Sequence, residues 1–72
     1  MPVVESVVCE DEKQAFRLCF QHSLRRCVEM GFSPEESFGV VWEETLERVD
    51  IRVADQRLMF LEMLDWTRAR MH

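Results

Sequence analysis

Met30-Gly31-Phe32-Ser33-Pro34-Glu35-Glu36 reads as the end of one helix followed at once by the start of another. Gly31 suits the left-handed backbone position that closes a helix, and Phe32 can fold back on that helix's last turn. Ser33 is placed to cap the next helix, Pro34 to take its first position, and Glu35 and Glu36 to complement its dipole. Glu36 stands three residues after Ser33, the spacing of a capping box. A stop joined so closely to a start predicts two helices packed back to back.

Working outward, the first helix is expected over about 11–30. Phe16, Cys19, Phe20, Ser23, Leu24, Cys27 and Met30 share one face, with Gln14, Arg25 and Glu29 away from it. The second, over 34–49, has Phe38, Val41, Trp42, Thr45, Leu46 and Val49 on its core side. Glu36, Glu43, Glu47 and Asp50 line the opposite side. Beyond it no glycine or proline marks a boundary, yet the apolar stripe loses phase at Arg52 and Gln56. Val49, Ile51 and Val53 alternate with polar residues, as in an extended stretch. A short connection is therefore expected, then a third helix over 54–70. The valine-rich residues 1–10 form an N-terminal arm or short extended segment in this reading, and 11–72 a single helical domain.

The third helix carries Leu58-Met59-Phe60-Leu61-Glu62-Met63-Leu64-Asp65-Trp66, whose large apolar side chains cover an arc of roughly 220° from Trp66 round to Leu61, with Leu58 beyond it. One core contact needs a stripe only somewhat wider than about 100°. Part of this helix must therefore face a second surface. The Met59, Phe60, Met63 and Trp66 side is the expected partner-binding face, because methionine adapts to varied partners and tryptophan anchors interfaces. The acidic side, Glu36, Glu43, Glu47 and Asp50, is a second candidate, steering a basic partner or imitating nucleic-acid phosphate.

Composition narrows the function classes. A chain of 72 residues is one small domain, expected to be marginal unless something supplements its core. Three cysteines and no signal-peptide pattern argue for a reducing, cytoplasmic setting rather than a disulfide scaffold. No apolar run approaches the ~20 residues that cross a membrane. A homo-oligomer sharing the third helix is then the expected supplement. The net charge of −5 places nucleic acid at a disadvantage, the only basic doublets being Arg25-Arg26 and Arg68/Arg70 near helix ends.

Chemistry-bearing clusters are sparse. Cys19 and Cys27 fall on the apolar face about 12 Å apart along the helix, His22 points to the polar side, and no Cys-x-x-Cys or His-x-x-x-His spacing occurs. Buried cysteine behaves as a small hydrophobe. Only Cys9, outside the helix as read here, suggests a regulatory thiol. The one serine beside a histidine, Ser23 after His22, points about 100° away from it on a helix, so neither a catalytic set, a metal site nor a cofactor is expected.

Met30-Gly31-Phe32 before a capped helix resembles the first loop of ubiquitin-associated domains, three-helix bundles that contact ubiquitin through such a turn. The similarity spans about Leu24 to Val41. The second helix is longer than that pattern, and the polar loop leading to the third helix is absent, so no ubiquitin contact is carried over. The sequence thus predicts an all-α protein: a helical hairpin plus a third C-terminal helix, a three-helix bundle completed by dimerisation. The expected function is a non-catalytic adaptor, regulator or inhibitor that binds a protein. A small nucleic-acid-binding regulator, or a thiol- or metal-dependent one, is the alternative.

Overall fold

The computed structural model describes the backbone of residues 2–70 and the side chains of residues 12–70. Three helices follow in order: α1 (Pro2–Glu29), α2 (Pro34–Arg48) and α3 (Val53–Ala69). The described chain is all-α, and its two connections, 30–33 and 49–52, are each four residues long.

The α1–α2 corner forms as its residue types dictate. Gly31 adopts φ +101°, its N–H donates to the Val28 carbonyl at 3.0 Å, and the Phe32 N–H donates to the Cys27 carbonyl at 3.0 Å. Those two bonds constitute a Schellman closure. The Phe32 ring nevertheless stays half exposed rather than folding down. Ser33 Oγ accepts from the Glu36 N–H at 3.1 Å, capping α2, while the Glu36 side chain remains exposed, so only this arm of the box is made. The buried Ser37 hydroxyl donates to the Ser33 carbonyl at 2.9 Å.

The expected break after α2 is present. Val49 (φ −122°, ψ 117°) and Arg52 (φ −63°, ψ 145°) are extended, and between them Ile51 turns into the core. The alternation at Val49, Ile51 and Val53 is thus an inward-outward pattern of extended backbone. The helix ends agree with the sequence reading to within one residue except at the start of α1. Residues 2–10, expected as an arm or extended segment, are helical and continuous with α1. Valine lowers helix propensity by only a few tenths of a kcal/mol, too little to end a helix that a well-packed segment has already nucleated. Met30, placed on the core face, is exposed because α1 ends one residue before it.

Cross-helix contacts fix the directions. Phe16 meets Trp42 and Phe20 meets Phe38, with ring centroids 5.1 and 5.3 Å apart, so α2 runs antiparallel to α1. Lys13 pairs with Asp55, Arg17 with Glu62, and Phe20 meets Trp66, so α3 runs parallel to α1. At 1.5 Å per residue α1 is about 42 Å long and α2 about 22 Å. The molecule measures 46 × 20 × 17 Å, so α1 reaches well past its neighbours.

The core holds Phe16, Phe20 and Leu24 from α1, Phe38 and Val41 from α2, Ile51, and Met59 and Met63 from α3. Cys27, Trp42, Leu46, Val49, Leu64 and Trp66 pack around it. Of the seven aromatic rings, only Phe32 stands outside the linked cluster that Phe20, Phe38 and Trp42 centre. Buried Thr45 and Thr67 donate their hydroxyls to the carbonyls of Val41 (2.6 Å) and Met63 (2.8 Å), which satisfies both where helices approach closely.

Candidate interaction surfaces

Helix α3 is positioned by its inner face. Met59 and Met63 point into the core, and Thr67 continues that line one turn later. The expected partner face therefore divides. Met59 and Met63 are fully buried and belong to the fold, which corrects their placement on a partner surface. Phe60 closes the aromatic cluster at the α2–α3 seam, edge-on to Phe38 at 5.2 Å and to Trp42 at 5.0 Å, with 37% of its surface exposed. Trp66 is half buried, edge-on to Phe20 at 6.4 Å.

The apolar surplus lies on the opposite side. Val53, Leu58 and Leu61 are 81%, 57% and 56% exposed. At 100° per residue, Leu61 stands about 180° from the mean direction of Met59 and Met63. One signal in the sequence marks this face as outward. Leu61 has a charged residue one turn away on both sides, Arg57 and Asp65, whereas Met59 has one, Asp55, and Met63 has none. Charge on both sides at i±4 marks the apolar residue that faces solvent.

The acidic residues are brought together as the helical repeat requires. Glu36, Glu43 and Glu47 share the outer face of α2 and are exposed. Asp50 is exposed too but lies past the end of α2, in the connection. Val40, 64% exposed, sits among them.

No protein-family model matches the chain, and neither a curated protein nor a solved structure is found similar to it.

One arrangement was not visible in the sequence. The two basic doublets, far apart along the chain, converge at one end of the bundle. The Arg70 guanidinium lies 4.0 Å from the Trp66 ring centroid and that of Arg25 lies 5.8 Å away. Beside them is a cleft of about 250 Å³ lined by Leu24, Val28, Glu29 and Pro34 with these three residues. A guanidinium over an indole face keeps its N–H edge free for an anion. A second depression of about 230 Å³, lined by Glu35, Phe38, Leu64, Thr67 and Arg68, lies at the α2–α3 seam.

Cys19 and Cys27 are free thiols, both half buried, and His22 is exposed. Among the described residues no group of three or more His, Cys, Asp or Glu could hold a metal ion. The side chain of Cys9 lies outside the described residues. Among those residues, no helix is long and apolar enough to cross a membrane.

Proposed function

We propose that this chain is a non-catalytic protein–protein interaction module of the cytoplasm, a small adaptor, regulator or inhibitor. The observation that carries the reading is the double-sided α3. Its inner methionines already fill the core, yet Val53, Leu58 and Leu61 leave more than half of their apolar surface exposed on the other side. Exposed apolar residues that share one helix face with charged neighbours resemble an interface, with an apolar centre and a polar rim. The acidic face of α2 orients the encounter, since charge complementarity acts mainly on association rate and register.

The test compares the wild type with Leu58→Asp/Leu61→Asp by light scattering and by affinity capture. The wild type is expected to enter a larger species that the double variant, with unchanged circular dichroism, does not. Identical association of the two would overturn the reading. Reversal of Glu43 and Glu47 to lysine is expected to slow capture without altering helicity.

One observation favours a second reading, an anion-binding end used by a nucleic-acid regulator. Arg25 and Arg70 meet at one tryptophan beside an apolar cleft. A gel shift with single-stranded DNA at low salt, lost in Arg25→Ala/Arg70→Ala, would support it. Absence of any shift at low salt excludes it, because phosphate contacts are strongest there.

A further inference from the structure

The outer ridge of α3 is Val53, Arg57, Leu61, Asp65 and Ala69, spaced by four residues, and all five are exposed. Read in reverse the ridge is complementary to itself. Placed antiparallel about Leu61, Arg57 meets Asp65 of a second copy, Leu61 meets Leu61, and Asp65 meets Arg57 by symmetry. Helices whose i±4 ridges interdigitate cross at about −50°, the commonest packing class in globular proteins. Each step of four residues turns the ridge by about 40°, so the contact is closest over its central three residues, Arg57, Leu61 and Asp65, about 12 Å long.

Among the described residues the two charges have no competing use. Arg57 and Asp65 form no ion pair with any described residue. They cannot pair with each other either, being two turns, or about 12 Å, apart on the same helix. Were both positions to carry charge of one sign, the antiparallel arrangement would oppose like charges. The chain instead places one of each sign at equal distances from a central leucine, a pattern that is self-complementary in an isologous twofold contact.

We infer that the occupant of this face is a second copy of the same chain, docked antiparallel along α3 about a twofold axis at Leu61. The inference rests on the interaction-module reading and specifies its partner. The dimer is held by Leu61 at the axis, Leu58 beside it, and an Arg57–Asp65 pair on each side. A single helix pair belongs to the small class of interfaces, under about 1,200 Å² in total, so the dimer is weak and concentration-dependent.

Charge exchange tests the register. Arg57→Asp opposes two aspartates in the homodimer and Asp65→Arg opposes two arginines, so each variant alone is expected to dissociate at least about tenfold more readily than the wild type. Mixed in equal amounts, the two variants restore both pairs and are expected to form a heterodimer of wild-type mass by light scattering. Circular dichroism confirms that each is folded, since both positions are exposed. A wild type that stays monomeric to about 1 mM overturns the second-copy assignment, while loss of capture in Leu58→Asp/Leu61→Asp would still uphold the interaction face. A wild type that dimerises through Leu61 with no complementation between the charge variants overturns the register alone.

Discussion

Phe20→Ala is the most informative perturbation of the fold. The Phe20 ring is fully buried and lies edge-on to Phe38 at 5.3 Å and to Trp42 and Trp66 at 6.4 Å, so one α1 side chain joins both other helices. Truncating a buried phenylalanine to alanine costs about 3–5 kcal/mol, and the edge contacts favour the upper half of that range. At about 0.05–0.15 kcal/mol per residue, a domain of this size has roughly 4–11 kcal/mol in all. The variant is therefore expected to lose between a third and all of its stability, with the melting temperature falling by about 15–40 °C. Urea unfolding followed by circular dichroism and by tryptophan fluorescence measures this, with Phe32→Ala as the control. Phe32 is half exposed and outside the aromatic cluster, so its removal is expected to cost under about 0.5 kcal/mol. A Phe20→Ala loss below about 1 kcal/mol would refute the claim that this ring locks the bundle.

Alanine substitutions at the two glycine positions should act in opposite directions in thermal melts. Gly31→Ala forces a side chain to φ +101° and is expected to cost about 1 kcal/mol, whereas Gly39→Ala meets no atom within 4 Å inside a helix and is expected to add about 0.5–1 kcal/mol. Ser33→Ala removes the acceptor for the Glu36 N–H and should cost about 1 kcal/mol by urea titration, against a small effect for Ser33→Asn. A double-mutant cycle on Arg17 and Glu62 should give a coupling below about 1 kcal/mol that shrinks in 1 M salt, because both side chains are partly solvated.

The helices and corners were legible because their signals are local. Gly31, Ser33 and Pro34 each satisfy a backbone requirement within a few residues, and the loss of stripe at Arg52 and Gln56 reports a break at the point where it occurs. The division of the α3 surface was harder to read, because a helix that is apolar over most of its circumference does not say which arc faces inward. That choice is made by Phe20, Phe38 and Trp42, which lie in other helices, and they select Met59 and Met63. The charges at Arg57 and Asp65 were the clue that Leu61 faces out. The meeting of Arg25 with Arg70 at Trp66 was not legible at all, since it follows from α3 running parallel to α1. The extension of α1 back to Pro2 carries no signal of its own in the sequence, because β-branched valine opposes a helix only weakly.

The two four-residue connections also determine how the chain behaves in time. α1 and α2 are sequence neighbours sharing the larger interface, whereas α3 returns to α1 across 45 residues at the Arg17–Glu62 contact. Contacts this local place folding in the microsecond-to-millisecond range, with the α1–α2 hairpin forming before α3 docks. In the native state the reverse order holds, and α3 should be released in partial openings of lower free energy than global unfolding. Native-state hydrogen exchange would report this as faster exchange across residues 59–67 than across 16–27, and equal rates would contradict it. A partner gripping the outer side of α3 would then slow unfolding without touching the core, because it holds the segment whose departure comes first.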